Sequence, residues 1–225
     1  GKFERHLGSF KITDFTDHHD IQARMGSVIS RIEMFDAKAF GVHASEATMM
    51  DPQHRLLLQQ STGVIMTTTD VPRANTGVYI GTAWTEYKDH ADRNGFPAAA
   101  YSATSAALSV ASGRLAFCFN LKGPTLSIDT ACSSSLVAAH LGARAMTMGE
   151  CTAAAVCGVN LTLLAHTTAM FQRAGMLAPD GRCKTLDASA DGYVRAEGCE
   201  VIMLTTGASE IGVALGGSAV NQDGR

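Results

Sequence analysis

The sequence predicts an α/β layered fold, in which helices pack on a buried sheet. Segments with the length and composition of strands alternate with segments of helical length, which favours this fold class. Apolar residues make up 46% of the 225 residues, enough to bury a sizeable core and to exclude a disordered chain. Charged residues make up 17%, below the roughly 25% usual in globular proteins. We therefore expect much of the surface of this chain to be covered by something else.

The individual elements follow from local signals, taken here in chain order. Asp51 and Pro52 begin a helix that continues to Met66, since Asp caps free N–H groups and Pro suits a first helical turn. Residues 76–82 are apolar and bounded by glycines, which predicts a short buried strand. Small and apolar residues at helical spacing predict a helix over 101–117. Further along we predict a strand at 125–129, a helix at 132–148, a strand at 153–160 and strands at 197–206 and 211–220.

The predicted helix over 132–148 has few polar positions. They form one stripe, which consists of His140, Arg144 and Thr147. A helix that is apolar on its other sides is expected to be buried there, and Gly149 provides its C-terminal stop. Formal charges are scarce throughout residues 125–172, so we place the centre of the molecule in this stretch.

Several function classes are disfavoured by motifs that the sequence lacks. No two of the 22 glycines stand two residues apart, so the dinucleotide fingerprint GxGxxG cannot occur. Walker A, HExxH and GxSxG patterns are missing as well. Lysine and arginine form no basic block, which disfavours nucleic-acid binding, and no apolar stretch approaches the roughly 20 residues of a membrane span. Asp17-His18-His19-Asp20 could suggest metal ligands, but adjacent side chains rarely converge on one ion, so we predict a solvated turn and no metal.

The cysteines and the first residues bear on the cellular compartment. A chain of this length folds without disulfides and no CxxC spacing occurs, so we predict that all six cysteines are reduced thiols. The opening GKFERHLGSF has no export signal and no initiator Met, and it looks like the interior of a longer gene product. We expect an intracellular protein, with the cytoplasm as its compartment and an organelle as the alternative.

The segment DTACSSSL at 129–136 carries the one pattern that predicts chemistry. A strand leads into a short turn, and Cys132 stands at the mouth of the following helix. Free N–H groups and the partial positive charge of a helix N-terminus favour a thiolate there, and they can stabilise an oxyanion. The alternative is a small core residue, as most buried cysteines are. The other five cysteines lack such a setting, and we expect Ser133 to Ser135 to bond the first N–H groups of the helix.

These residues, with several further motifs, resemble the β-ketoacyl synthases, and the modular polyketide synthase branch most of all. The resemblance runs from about residue 33 to the last residue. Its motifs are FDAKAFGVHASEATMMDPQHRLLLQ at 35–59, LKGPTLSIDTACSSSLVAAHLGARAM at 121–146, GVNLTL at 158–163, MLAPDGRCKTLDASADGYVRAEG at 176–198 and GGSAVNQDGR at 216–225. Their order and spacing agree with the family.

The resemblance implies a thiolase-like fold of α-β-α-β-α layers, and an acyltransferase. Cys132 would accept an acyl group from the phosphopantetheine of an acyl carrier protein, and its N–H would form part of the oxyanion hole. A malonyl-type extender would then decarboxylate and attack that thioester. The resemblance further implies no metal or organic cofactor, a homodimer, and a place for Phe171 in the acyl pocket, although a core aromatic is an equal alternative for Phe171.

The sequence also departs from the family. The opening strand of the IAIVG type is absent, and none of the eight histidines lies in an HGTGT or NIGH setting. Since the decarboxylating histidines and lysine belong to the second half of the fold, we expect residues 1–225 to be an incomplete N-terminal part of the domain. Three rivals remain. They are a fatty-acid-type synthase, a decarboxylating loading domain (disfavoured by Cys132), and a truncated non-catalytic dimerisation or acyl-binding module.

Overall fold

A computed structural model describes residues 8–11, 25–68, 71–95, 100–207 and 213–224. The chain divides into two compact units, each described by itself. The larger consists of residues 35–85, 98–159 and 199–225, and the smaller of residues 1–34, 86–97 and 160–198.

The elements alternate between strands and helices through most of the chain. The strands are β1 (Gly8–Lys11), β2 (Met25–Val28), β3 (Thr76–Gly81), β4 (Thr125–Ile128), β5 (Ala153–Asn160) and β6 (Gly198–Thr205). The helices are α1 (Ala44–Met49), α2 (Pro52–Thr67), α3 (Tyr87–Arg93), α4 (Ser102–Ser105), α5 (Leu108–Phe119), α6 (Ser134–Thr147) and α7 (Ala165–Arg173). Short 3-10 turns occupy Ala37–Phe40 and Arg73–Asn75. This mixed architecture confirms the predicted α/β fold class.

The larger unit is built on a four-stranded sheet in the order β4-β3-β5-β6. Strand β3 pairs in parallel with both neighbours, so that Val78 lies opposite Thr125 on β4 and opposite Ala155 on β5. Every residue of β3 is buried, as expected for a central parallel strand covered on both faces. Helix α6 packs over this sheet, and the core between them includes Tyr79 of β3 and Ala138 of α6.

The strands and helices of this unit confirm most of the predicted elements, with one helix divided. The helix predicted at 101–117 is broken between α4 and α5, because Ala107 has an extended backbone conformation. The carbonyl of Ser105, which a continuous helix would use internally, instead accepts the Asp51 N–H at 2.8 Å. A contact between segments distant in sequence therefore ends α4, and no local signal in the sequence marks it.

The prediction of a strand at 211–220 is wrong for the residues of this segment that the structure describes. Residues 213–220 are described, have no regular structure and are exposed, while 211 and 212 lie outside the described residues. Alternating apolar residues suit a strand, but a strand also needs a neighbour to receive its backbone hydrogen bonds. No described strand pairs with 213–220.

The exposure of α6 also differs from its prediction. Buried residues such as Ala138 and Gly142 lie on the face toward the sheet, but Leu136 is 74% exposed. The apolar composition of this helix therefore does not reflect burial on every other side. It leaves apolar surface next to the edge strand β4, which α6 also contacts.

The smaller unit contains the antiparallel pair β1 and β2 together with α3 and α7. Two carboxylates, one buried and one half-buried, accept hydrogen bonds from backbone N–H groups in this unit. Glu86 accepts the N–H groups of Leu163 and Leu164, both at 2.7 Å, just before α7. Glu197 accepts the N–H of Thr162 at 3.0 Å and that of Ile29 at 2.8 Å.

Two other predictions concern loops and membranes. The turn at 178–181 is confirmed, with the Gly181 N–H donating to the Ala178 carbonyl and a left-handed φ of 70° at Gly181. The segment Asp17–Asp20 lies outside the described residues. Within the part of the chain that the structure describes, no helix has both the length and the apolar character needed to cross a membrane.

Candidate active site

The thiol of Cys132 is exposed in the turn between β4 and α6. Strand β4 ends at Ile128 and the helix begins at Ser134, so the turn is five residues long. Its tightest point is Ala131, whose φ of 56° lies in the left-handed region. That conformation costs a residue with a Cβ of the order of 1 kcal/mol or more, so other contacts must hold it.

Hydrogen bonds to the residues before Cys132 hold this turn. The Asp129 carboxylate accepts the Ala131 N–H at 3.0 Å. The Ser133 hydroxyl donates to the Thr130 carbonyl at 2.9 Å. The Ser134 hydroxyl donates to the Ala131 carbonyl at 2.6 Å and accepts the Thr130 N–H at 2.9 Å.

These contacts correct the prediction for the serines. The hydroxyls of Ser133 and Ser134 point back to the turn, and neither bonds the first N–H groups of α6. The peptide groups of the turn also need hydrogen-bond partners, and the two hydroxyls bond these groups instead of the N–H groups of the helix. Among the described residues, the N–H of Cys132 has no acceptor, so it remains open beside the thiol.

Two glycines let α6 approach the sheet closely enough to form this turn. A Cβ on Gly81, at the end of β3, would lie within 2.6 Å of the Ser134 backbone. A Cβ on Gly158, on β5, would lie 2.8 Å from the Cβ of Ser135. Neither glycine was predicted to belong to the site, although a glycine inside a strand pattern is a recognised sign of close backbone approach.

The remaining thiols are poor candidates for a nucleophile. Burial raises the pKa of Cys157 and Cys199 to about 12, and it also raises the pKa of Cys118 and Cys151. These four thiols are therefore protonated at neutral pH. Cys183 is exposed, but it lies in a loop where its sulfur accepts the Val194 N–H at 3.2 Å. Of the two exposed cysteines, only Cys132 stands at the mouth of a helix.

The second predicted site residue, Phe171, lies on α7 in the smaller unit, whereas Cys132 belongs to the larger unit. The Phe171 ring is half-buried and meets the Tyr193 ring edge-on, with 6.4 Å between centroids. The Arg195 guanidinium lies 4.9 Å from the centre of the Phe171 ring and 3.6 Å from Glu86. These contacts hold the ring in place within its unit, and its role in an acyl pocket stays a prediction.

No group of three or more His, Cys, Asp or Glu side chains is placed to hold a metal ion in the described part of the chain.

The chemistry that the described turn supports is attack by a thiolate on a carbonyl carbon. The thiol supplies the nucleophile, and the open N–H beside it can donate to the oxygen of that carbonyl.

Comparison with known proteins agrees with this arrangement. The profile of the family described as "Beta-ketoacyl synthase, N-terminal domain" matches residues 6–209. The polyketide synthase component of the lovastatin nonaketide synthase of Aspergillus terreus is 40% identical over 201 residues, which are 85% of this chain and 7% of that protein. The fatty acid synthase of Anser anser anser is 42% identical over 178 residues, which are 77% of this chain and 51% of that one.

Solved structures of similar fold are also ketosynthases. The oxazolomycin ketosynthase domain of Streptomyces albus JA3453 has a TM-score of 0.72 at 31% identity, covering 82% of this chain and 33% of that one. The ketosynthase from module 6 of the bacillaene synthase of Bacillus subtilis 168 has a TM-score of 0.70 at 34% identity, covering 86% and 33%. The chain thus spans about a third of these ketosynthase structures.

Proposed function

The chain belongs to the β-ketoacyl synthase family, and from this we propose that it is the acyl-accepting part of a condensing domain in polyketide or fatty acid biosynthesis. The observation that carries the proposal is the exposed Cys132 thiol, beside its own open N–H, in the turn that leads into α6. A thiol in that setting is suited to accept an acyl group from a thioester.

The first proposed step is acyl transfer to Cys132. The thiolate attacks the carbonyl carbon of an acyl thioester on phosphopantetheine, and a new S–C bond forms. The negative charge that develops on the carbonyl oxygen is stabilised by the Cys132 N–H. The intermediate then collapses, the S–C bond to the carrier breaks, and the carrier thiolate leaves and takes up a proton.

The second proposed step belongs to the whole domain, of which this chain is a part. A malonyl-type extender loses carbon dioxide, and the electron pair of the broken C–C bond becomes a carbanion. The carbanion attacks the acyl-Cys132 carbonyl, forms the new C–C bond and displaces the Cys132 thiolate. The acyl chain grows by two carbons and returns to the carrier.

The chemistry of these steps requires an acyl carrier protein as the acyl donor and no metal or organic cofactor. We also propose a homodimer, and an intracellular location with the cytoplasm as the compartment and an organelle as the alternative. The dimer is supported by the edge strand β4, where Leu126 is exposed, and by Phe117 and Leu136, which are 88% and 74% exposed on the neighbouring helices. Phe171 is proposed to line the acyl pocket, on the family resemblance of its position alone.

The rival functions have less support. The relatives and the solved structures named above are synthases and ketosynthases, which disfavours a non-catalytic module. The intact Cys132 disfavours a decarboxylating loading domain. The identities of 40% and 42% do not separate the polyketide branch from the fatty acid branch, whereas both solved structures named above come from polyketide assembly.

Replacing Cys132 tests the proposal directly. We expect Cys132→Ala to abolish acyl loading, because no other thiol is both exposed and placed at a helix mouth. Intact-mass measurement after incubation with an acyl-carrier-protein thioester should show one added acyl group on the parent chain and none on the variant. Cys183→Ser is the matched control and should load normally. Stoichiometric acylation of Cys132→Ala would refute the assignment.

A further inference from the structure

We propose that Ser134 is a positioning residue for acyl transfer, because it fixes the direction in which the Cys132 N–H points. Ser134 is 4% exposed, and it makes two hydrogen bonds to one carbonyl. Its hydroxyl donates to the Ala131 oxygen at 2.6 Å, and its N–H donates to the same oxygen at 3.2 Å. The inference rests on the function proposed above and adds a residue to its mechanism.

The link to Cys132 is covalent. The Ala131 carbonyl and the Cys132 N–H belong to the same peptide group, which is planar and has the two on opposite sides. Two donors on the carbonyl therefore set the orientation of the N–H, although Ser134 makes no hydrogen bond to the thiol itself. The same two donors polarise the peptide group, which strengthens the N–H as a donor to an oxyanion.

The hydroxyl of Ser134 also stabilises the conformation that makes this orientation possible. Ala131 has a φ of 56°, which is unfavourable for a residue with a Cβ. The Ser134 hydroxyl bonds on both sides of it, to the Thr130 N–H and to the Ala131 carbonyl. Without the hydroxyl, the peptide between Ala131 and Cys132 is freer to rotate, and the N–H turns away from the thioester oxygen.

The test compares two reactions of the same thiol in the full chain, with Cys183→Ser as the parent. Alkylation by iodoacetamide needs the thiolate but creates no oxyanion at a carbonyl, whereas acylation by an acyl-carrier-protein thioester needs both. We expect Ser134→Ala to slow acylation by about 10-fold or more, a part of the loss seen when an oxyanion donor is removed outright. Alkylation should change by less than about 3-fold, since the thiol itself is untouched.

Matched variants separate positioning from packing. Ser135→Ala makes the same change at the next residue, whose hydroxyl has no hydrogen bond among the described residues, and it should leave both rates unchanged. Ser134→Thr keeps the hydroxyl and should keep the parent's ratio of the two rates. Resistance of Cys157 to alkylation shows that each variant is folded, because that thiol is buried.

Two outcomes would overturn the inference. One is an unchanged ratio of the two rates in Ser134→Ala, whether both rates keep the parent's values or both fall equally. The other is a Ser134→Thr ratio as low as that of Ser134→Ala, which would assign the effect to packing; Ser134→Thr also decides the matter where Ser134→Ala leaves Cys157 unprotected. A parent that accepts no acyl group at all is distinct from these, since it refutes the proposed function itself.

Discussion

His54 shows how a single buried side chain links stability to pH. The imidazole is 4% exposed, its Nδ1 has no hydrogen-bond partner among the described residues, and the Arg114 guanidinium is close enough to repel a second positive charge. Burial, followed by this repulsion, lowers the pKa of His54 from 6.5 to about 4. The folded chain therefore keeps His54 neutral at pH values where the unfolded chain binds a proton.

This difference predicts a loss of stability in mild acid. The unfolded state binds a proton below about pH 6.5 and the folded state only near pH 4, so the free energy of unfolding falls as the pH falls between these values. We expect His54 to contribute a loss of about 2 kcal/mol between pH 7 and pH 5. Denaturant unfolding at the two pH values measures it, with His54→Gln as the comparison. An equal pH dependence in both proteins would contradict the prediction.

At the residue scale, the sequence predicts Cys132 as the nucleophile but not the contacts that shape its turn. Cys132 is predictable because a strand, a turn and a helix leave recognisable signals on either side of it. The left-handed conformation of Ala131 leaves none, since alanine, unlike glycine, carries no preference for it. The direction of the serine hydroxyls depends on that conformation, which is why their partners were predicted wrongly.

At the scale of elements, the position of α6 depends on the space above Gly81. A Cβ there would overlap the backbone of α6 at Ser134, and backbone cannot move aside as a flexible side chain can. We expect Gly81→Ala to push the start of the helix away from the sheet. The cost should be about 1–3 kcal/mol of stability, as for other overpacked sites, and acylation of Cys132 should slow as well.

A second glycine supplies the control for Gly81→Ala. Gly113 lies on α5, and a Cβ there would meet no atom within 4 Å apart from its chain neighbours and the backbone of its own helix. Alanine is the better helix former, so Gly113→Ala should leave the thermal midpoint unchanged or raise it slightly. Thermal unfolding and acylation rates measured on both variants decide the matter. A Gly81→Ala protein as stable and as active as the parent would show that α6 can shift without loss.

The elements were predictable where the information is local. The capped start of α2 and the apolar runs of β3 and β5 each contain their own signal, and each lies where the sequence places it. The break before α5 and the irregular 213–220 segment depend on contacts with distant residues. Local periodicity carries no information about those contacts.

At the scale of the molecule, the edge strand β4 is where we expect two copies of the proposed dimer to meet. An edge strand has unpaired backbone groups and readily pairs with another chain, and the exposed Leu126 adds apolar surface to it. We expect the proposed dimer to form through β4 of each copy, related by a two-fold axis. Leu126→Lys would then place like charges face to face and yield monomers.

Sedimentation velocity measures this effect. Ile202→Lys is the matched control, since Ile202 is half-exposed on β6, at the other end of the sheet. The control should remain dimeric where Leu126→Lys is monomeric. A monomeric parent chain, or dissociation caused by Ile202→Lys alone, would rule out an interface through β4.

The low content of charged residues, 17%, predicts that much of the molecular surface is covered. The exposed apolar residues, Phe117 and Leu136 among them, agree with that expectation and place part of the uncovered surface beside β4.

The division into two units was not predicted. No linker or shift of composition marks it, because the smaller unit draws on three separate stretches of the chain.

The hydrogen bonds around Cys132 also bear on how the site could be moved to another protein. Each bond described in the turn joins residues at most four positions apart, all within Asp129–Ser134. The surrounding sheet contributes room for the backbone through Gly81 and Gly158, without donating or accepting any of these bonds. We expect these six residues to keep their shape in a host protein only where the host also supplies a strand like β4, a helix like α6 and glycine at the positions of Gly81 and Gly158.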